Sequence, residues 1–206
     1  MNEKLWGGLH CPHDPETIVR HLSRHAGQDR VVVCELGIDT GLTGNRIVDF
    51  LKSIGVRQVA YYGVDDRSLS SLEKDVNHEV AFDHPEMAFV QGDRSALESL
   101  EPIDFGFVDA CHCAECVFQD SIAMSRAVRR GGFMAFHDTS LLVQYPNQHG
   151  MRDNAWQHYG SGVATRPLNV VEGIVMARAL WDGEWSLSVQ DGDRLPWGGI
   201  RIYEKL

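Results

Sequence analysis

The stretch Val31–Gly44, with the sequence VVVCELGIDTGLTG, decides the fold. Its apolar first half predicts a buried strand that ends on Glu35, and its second half predicts a glycine-spaced turn that leads into a helix. Gly37 and Gly41 suit turn conformations that cost other residues energy, and Gly44 allows the helix to pack closely on the strand. Such a turn presents backbone N–H groups and a helix N-terminus to a ligand. The alternative is a tight strand–helix connection that binds nothing.

Five short apolar runs alternate with amphipathic helices, which predicts a parallel sheet with right-handed crossovers. Two more runs, at 185–189 and 199–203, predict an antiparallel hairpin at the sheet edge. The predicted fold class is therefore α/β, a Rossmann-like, doubly wound, mostly parallel seven-stranded sheet with a C-terminal antiparallel hairpin and helices on both faces. The parallel strands are predicted at 31–36, 58–64, 87–90, 103–108 and 133–136, the last one after a turn at 129–132.

Each predicted parallel strand ends on an acid. The carboxyl ends of parallel strands lie along one sheet edge, where open α/β sheets bind ligands, so we expect these acids to gather there. Helix N-caps explain one or two of them, because Asp is a favoured N-cap residue, but not all five. The five acids are Glu35, Asp65, Asp93, Asp109 and Asp138.

Length and patterning predict a single domain over residues 1–206. Within it, residues 1–30 are predicted to form an N-terminal helical extension. The segment 141–165 is rich in Gly, Asn, Gln and His without a sustained period, which predicts a lid or substrate loop.

Charge and hydropathy exclude several classes of partner. The formal net charge is −10 and no long basic run occurs, which disfavours binding to nucleic acid or to an anionic membrane. No apolar segment has the length of a membrane span or of a signal peptide, and we expect a cytoplasmic protein.

The cysteines point away from a secreted protein. Five are present, an odd number, and Cys111, Cys113 and Cys116 fall within six residues, which argues against a disulfide framework. Structural zinc sites usually pair two separated ligand couples, and Cys11 and Cys34 offer no such couple. We interpret the cluster as small thiols packed at a strand–helix junction, with a zinc site as the less favoured alternative.

These motifs together resemble the class I S-adenosylmethionine-dependent methyltransferases over roughly residues 31–203. The sequence from Glu35 to Gly41 is similar to their Glu-x-Gly-x-x-x-Gly turn and does not fit the Gly-x-Gly-x-x-Gly turn of dehydrogenases. The resemblance implies that the acid after the second strand holds the ribose hydroxyls, with Asp66 able to share or take the role of Asp65. The cofactor residues that it implies are Glu35, Gly37, Gly41, Asp65, Asp66, Gly92, Asp93 and Asp109.

The ends of the fourth and fifth strands resemble a narrower group, the metal-dependent O-methyltransferases of small molecules and sugars, which includes the macrocin O-methyltransferase and cephalosporin-hydroxylase-like proteins. By this resemblance Asp109 and Asp138 bind Mg²⁺ or Mn²⁺, and His112 is the catalytic base. His137 stands where the sugar enzymes have Glu, and imidazole suits Mn²⁺ or Zn²⁺ better than Mg²⁺. His137 is therefore a third metal ligand, or it turns away from the metal, or the site holds a different ion or none.

The resemblance implies transfer of a methyl group from S-adenosylmethionine to a hydroxyl oxygen of a small acceptor, with help from a divalent metal. One alternative is a metal-dependent hydrolase or oxygenase that uses His112, His137 and Asp109 or Asp138. Another is a non-catalytic module that binds a nucleotide cofactor. The oligomeric state is open, with a homodimer as the base-rate expectation.

Overall fold

The computed structural model describes residues 14–38, 40–76, 80–140, 170–191 and 198–206. The predicted lid at 141–165 and the first part of the predicted N-terminal extension lie outside these residues. Within the described ranges, no helix combines the length and the apolar character that a membrane span requires.

The described strands form one seven-stranded sheet. The strands are β1 (Arg30–Leu36), β2 (Gln58–Asp65), β3 (Met87–Gln91), β4 (Ile103–Val108), β5 (Val128–Phe136), β6 (Trp185–Asp191) and β7 (Ile200–Lys205). Their order is β3-β2-β1-β4-β5-β7-β6. β1 to β5 pair in parallel, while β7 pairs antiparallel with both β5 and β6. The predicted fold class, including the C-terminal hairpin, is confirmed.

Helices cover both faces of the sheet. The described α-helices are α1 (Asp14–Leu22), α2 (Leu42–Ser53), α3 (Leu69–Val76), α4 (Ala114–Ala127) and α5 (Val170–Ala177). In β1, Val31 and Val33 pack in a core with α1 and α2, whereas Val32, Cys34 and Leu36 pack in a second core with α4 and α5. This alternation explains why β1 is apolar throughout, since a strand buried on both faces has no solvent-facing side.

One predicted boundary is wrong. The sequence predicts a turn at 129–132 before the fifth strand, but β5 runs through these residues from Val128. The pairing with β4 shifts register between the partners of Ile103 and Phe105, and Gly131 takes a φ of +75°. A glycine in this conformation absorbs extra residues as a bulge, so the strand continues instead of turning.

Candidate active site

Backbone hydrogen bonds join the carboxyl ends of the parallel strands into one edge. Gly92 N–H donates to Asp65 O at 2.9 Å, and Gly37 N–H donates to Val64 O at 2.9 Å. Further along the same edge, Asp109 N–H donates to Leu36 O at 2.9 Å, and His137 N–H donates to Val108 O at 3.2 Å. The residues predicted from five separate strand ends therefore lie along one continuous edge.

The glycine turn is required by close contacts of the chain with itself. Gly37 has a φ of +86°, and a Cβ there would lie 2.5 Å from both Ala110 Cα and Asp109 O. Gly41 precedes α2 with a φ of +78°, and a Cβ there would lie 2.5 Å from Ala81 O. The end of β1 thus passes directly against the segment that follows β4, as only glycine permits.

Glu35 lies beneath this turn and is buried. Its carboxylate accepts a hydrogen bond from the hydroxyl of Tyr61 on the neighbouring strand β2. Gly44 makes room for this pair, because a Cβ at that position would overlap the Tyr61 ring. Buried carboxylates need such partners, so Tyr61 helps to hold Glu35 at the strand end.

Asp65, the predicted ribose acid, is engaged by its own chain. One oxygen accepts the Ile38 N–H at 3.0 Å, and the other accepts the Arg67 N–H at 3.0 Å. The Arg67 guanidinium contacts both oxygens, at 2.9 and 3.0 Å. Burial raises the pKa of Asp65, but these hydrogen bonds and the Arg67 charge outweigh burial and lower it. Asp66 is exposed.

Gly92 and Asp93 follow β3 at the same edge. The Asp93 carboxylate accepts the Ser95 N–H at 2.9 Å and the Ser95 hydroxyl at 2.6 Å. It caps the short 3₁₀ helix Arg94–Ser99. Here the capping role that we considered for one or two of the strand-end acids is observed, while contact of Asp93 with an adenine stays a prediction.

Four predicted residues meet where β4 and β5 end. His112 Nε2 lies 3.2 Å from Asp109 Oδ1 and 3.1 Å from Asp138 Oδ2. His137 Nδ1 lies 3.0 Å from the same Asp109 oxygen and 3.7 Å from Asp138 Oδ2. One ligand atom from each residue falls within 4.8 Å of all the others. We call these four residues the Asp/His cluster; His137 faces it and does not turn away.

The electrostatics of the cluster follow from these contacts. Burial raises the pKa of Asp109, but the His137 charge and the hydrogen bonds from both imidazoles hold it well below its usual range. Burial lowers the pKa of His112, but the hydrogen bond with Asp109 and the charges of Asp109 and Asp138 raise it above its ordinary value. The protonated form of His112 is therefore favoured beside the two carboxylates.

The expectation that all five strand-end acids converge is only partly met. Asp109 and Asp138 meet in the cluster, whereas Glu35, Asp65 and Asp93 turn to partners in their own surroundings. Parallel strands bring their ends to one edge, but each side chain then takes the nearest donor. Strand-end placement alone does not decide which acids touch.

The donor set of the cluster fits a divalent ion. Ligand atoms about 2.1 Å from an octahedral ion lie about 3.0 Å from their cis neighbours. Among the three predicted ligands, His137 Nδ1 lies 3.0 Å from Asp109 Oδ1 and 3.7 Å from Asp138 Oδ2, and all ligand atoms fall within 4.8 Å of one another. The two carboxylates and one imidazole of Asp109, Asp138 and His137 suit Mn²⁺, Fe²⁺ or Zn²⁺ better than Mg²⁺, which prefers oxygen ligands.

Asp138 takes a left-handed backbone conformation in the cluster. Among the described residues, Asp138 is the one residue other than glycine with a positive φ, which is +57°. Flanking backbone bonds fix it, because His137 N–H donates to Val108 O at 3.2 Å and Thr139 N–H donates to Gly199 O at 3.2 Å. Left-handed Asp outside a turn is uncommon and concentrates at functional sites.

Sequence reasoning missed three residues of this edge. Arg67 covers Asp65, Tyr61 holds Glu35, and the buried hydroxyl of Thr139 has no partner among the described residues. Arg67 was detectable, since a residue two positions after a strand-end Asp often donates back to it. Tyr61 was not, because its partner lies 26 positions away in the sequence.

Comparisons with known proteins agree with this geometry. The family described as a methyltransferase domain matches residues 34–139, which is half of the chain. No curated protein matches the sequence.

Solved structures with the same fold include methyltransferases of several kinds. MycE from the mycinamycin biosynthetic pathway, in complex with Mg and SAH, shares 21% identity at a TM-score of 0.59 over 92% of this chain and 48% of its own. An O-methyltransferase from Bacillus cereus, in complex with SAH, shares 15% sequence identity at a TM-score of 0.53. The match covers 95% of this chain and 82% of the Bacillus cereus chain. The N-methyltransferase NodS from Bradyrhizobium japonicum shares 14% sequence identity at a TM-score of 0.50. The match covers 94% of this chain and 95% of NodS. The chain spans about half the length of MycE.

The sheet order, the glycine turn after β1 and the terminal hairpin define the fold of the class I S-adenosylmethionine-dependent methyltransferases. With the match over residues 34–139, this chain belongs to the methyltransferase-domain family.

Proposed function

We propose that the protein transfers a methyl group from S-adenosylmethionine to a hydroxyl oxygen of a small molecule, and that a divalent ion at the Asp/His cluster assists the transfer. The observation that carries the proposal is the contact between the glycine turn after β1 and the Asp/His cluster. Gly37 lies so close to the Asp109–Ala110 backbone that a Cβ could not fit between them. A donor seated on the turn would therefore end beside Asp109.

The spacing of the edge suits this ligand. Neighbouring strands lie about 4.8 Å apart, so the edge from β3 to β4 spans about 14 Å. That length accommodates a nucleoside that carries an amino-acid chain. In the proposed complex, following the family resemblance, the adenine lies near Asp93, the ribose at Asp65 and the methionine part at the turn that follows Glu35.

The cluster supplies what the acceptor needs. A neutral alcohol is a weak nucleophile, and its proton must leave as the bond to the methyl carbon forms. Neutral His112 accepts a proton on its imidazole ring, whose Nε2 faces Asp109 and Asp138. The two carboxylates then stabilise the imidazolium that results. Asp109, His137 and Asp138 would hold a divalent ion, which would supply Lewis acidity that lowers the pKa of the acceptor hydroxyl.

The remaining features support a small acceptor. A formal net charge of −10 favours neither nucleic acid nor anionic membranes as partners. Family membership gives the glycine turn a role that a hydrolase or oxygenase would not use, so methyl transfer accounts for more of the edge. A homodimer stays an expectation from base rates.

The test is a transfer assay with S-adenosylmethionine labelled in its methyl group. Phenols, glycosides and primary amines serve as acceptors, with EDTA, Mg²⁺ or Mn²⁺ present. We expect label on a hydroxylated acceptor, more with Mn²⁺ than with Mg²⁺ and least with EDTA. Asp138→Asn should lower transfer while cofactor binding persists.

Each part of the proposal can fail separately. Label on amines alone would overturn the choice of oxygen as the acceptor atom. Transfer that is equal in EDTA and Mn²⁺ would remove the metal from the mechanism and leave methyl transfer standing. An Asp138→Asn protein that retains full transfer would show that the cluster takes no part.

A further inference from the structure

Three cysteines lie together in the segment that links β4 to α4, next to the Asp/His cluster. The Sγ atoms of Cys111, Cys113 and Cys116 all fall within 4.8 Å of one another, and Cys111 Sγ lies 3.2 Å from Cys113 Sγ. All three are free thiols and are half-buried. They are not enclosed in the core as Cys34 is, so packing of apolar surface does not account for them.

The spacing of the sulfurs suits a thiophilic metal ion. Zn²⁺ binds thiolates at about 2.3 Å, which places the sulfurs of a tetrahedral site about 3.8 Å apart. Cys111 and Cys113 are closer than this and the third sulfur is within 4.8 Å, so shifts of less than about 1 Å would complete three corners of the tetrahedron. Adjustments of this size lie within the reach of side-chain rotation on a loop.

The start of α4 adds a favourable environment. Cys113 is the N-cap residue of α4, and its Sγ accepts the backbone N–H of Cys116 at 3.4 Å. Helix N-termini favour anionic groups, thiolates among them. Two of the three sulfurs thus belong to the first turn of one helix, and Cys111 reaches them from the loop before it.

We propose that Cys111, Cys113 and Cys116 form a thiolate site for Zn²⁺, separate from the Asp/His cluster. Binding replaces three S–H bonds by three Zn–S bonds and releases three protons to solvent. Three protein ligands leave the fourth tetrahedral position open to water or to an external ligand. The inference does not depend on the proposed methyl transfer.

The two sites differ in donor chemistry. The Asp/His cluster offers oxygen and nitrogen ligands, whereas the cysteine site offers sulfur alone. Soft thiolates select Zn²⁺ or Cu⁺, and carboxylates suit harder ions. The sites are nonetheless adjacent in sequence, because His112 lies between Cys111 and Cys113. A bound ion would fix the chain on both sides of that imidazole.

The test uses Co²⁺ as a spectroscopic substitute for Zn²⁺, with the full chain kept reduced by a phosphine. We expect a thiolate-to-Co²⁺ charge-transfer band that saturates once this site and the Asp/His cluster are both filled, and that disappears when Zn²⁺ is added. Cys113→Ser should abolish the band and lower Zn²⁺ affinity by about a hundredfold or more, since even outer partners of metal ligands contribute 10- to 100-fold.

Two variants serve as controls. Cys34→Ala removes a buried thiol outside the site, and Asp138→Asn removes a ligand of the neighbouring cluster; both should keep the charge-transfer band. Circular dichroism establishes that each variant is folded. In the unsubstituted protein, Zn²⁺ should also protect Cys111, Cys113 and Cys116 from alkylation, as peptide mass spectrometry would show.

Several outcomes would overturn the proposal. Two of them are a folded protein without a charge-transfer band and a band that persists in Cys113→Ser. A band lost equally in Asp138→Asn would assign the ion to a mixed site, and alkylation unaffected by Zn²⁺ would show that the thiols are not ligands. None of these results bears on whether the protein transfers methyl groups.

Discussion

Asp65 and Asp66 are neighbours in the sequence, but the structure gives them different surroundings. Asp65 is buried under Arg67 and holds the Ile38 N–H of the glycine turn, while Asp66 is exposed. A ribose diol that binds Asp65 must replace the Arg67 side chain. We therefore predict that Arg67→Ala raises S-adenosylmethionine affinity up to about fivefold, because an ion pair whose Arg67 side chain is exposed contributes on the order of 1 kcal/mol. Calorimetric titration measures this.

The two acids provide matched variants for the same titration. Asp65→Asn should weaken cofactor binding and also reduce the free energy of unfolding by about 1–3 kcal/mol, because it leaves buried donors poorly paired. Asp66→Asn should change neither quantity. Loss of affinity in Asp66→Asn together with normal binding by Asp65→Asn would transfer the ribose role to Asp66.

Gly37 permits the contact on which the site depends. In Gly37→Ala the new methyl group would meet the Asp109–Ala110 backbone as well as adopt a left-handed conformation. Gly27→Ala is the matched control, since Gly27 has a φ of +70° but nothing lies within 4 Å of its Cβ position. We expect Gly27→Ala to cost about 1 kcal/mol of strain. Gly37→Ala should cost at least about 2 kcal/mol more by overpacking, and chemical denaturation compares the two.

The protonation of His112 should govern the rate of methyl transfer. Its neutral form accepts the acceptor's proton, and Asp109 and Asp138 raise its pKa above the ordinary 6.5. Transfer should therefore increase as the pH rises above about 6.5, through this raised pKa. His112→Gln should lose this rise and most of the rate while it retains cofactor affinity. A rate profile that is unchanged in His112→Gln would exclude His112 as the base.

At the scale of elements, α1 and the 3₁₀ helix Ser23–His25 that follows it are attached to the sheet through buried histidines. His21 Nδ1 lies 3.1 Å from Thr17 O, its Nε2 lies 3.0 Å from Ser188 Oγ of β6, and its ring packs edge-on against Phe133. Burial lowers the pKa of His21, with smaller effects from nearby arginines. Burial lowers the pKa of His25 in the same way.

These shifts predict acid sensitivity of the fold. The unfolded chain binds protons near pH 6.5 and the folded chain only at lower pH, so stability is complete above that value and declines as the pH falls below it. Each histidine contributes at most about 1.4 kcal/mol per pH unit. The variant His21→Gln should show a shallower decline of unfolding free energy between pH 7 and 5. An equal decline in both proteins would refute the assignment.

Strand and helix identities were predictable because their patterns are local. The apolar run of β1, the five-strand alternation and the terminal hairpin each follow from short-range hydropathy. The continuation of β5 through residues 129–132 was not predictable, because the two glycines there favour a turn. Only the register shift against β4 shows that the strand continues. The short helix at Arg94–Ser99 is a 3₁₀ helix, a type that hydropathy does not distinguish from an α-helix.

The candidate site divides in the same way. Topology brings Asp109, His112, His137 and Asp138 together, and their positions at the ends of β4 and β5 made this predictable. Side-chain partners such as Tyr61 for Glu35 depend on packing between elements and leave no local signal. The proximity of the three cysteines was readable from spacing, but their half-exposed state was not.

At the scale of the whole molecule, the sheet edge at the carboxyl ends of the parallel strands is part of the cooperative core. Hydrogen bonds join the ends of β3, β2, β1, β4 and β5 in sequence, so a ligand at this edge contacts the central strands. Binding to the folded state alone stabilises it by about 2.7 kcal/mol at 100 times Kd. Each kcal/mol shifts the Tm of a chain of this size by about 2–4 °C. We predict that S-adenosylmethionine at 100 times its Kd raises Tm by about 5–11 °C in differential scanning fluorimetry. NAD at the same concentration should leave Tm unchanged, because the spacing of Gly37, Gly41 and Gly44 does not form a dinucleotide-binding turn. A shift with NAD and none with S-adenosylmethionine would reverse the cofactor assignment.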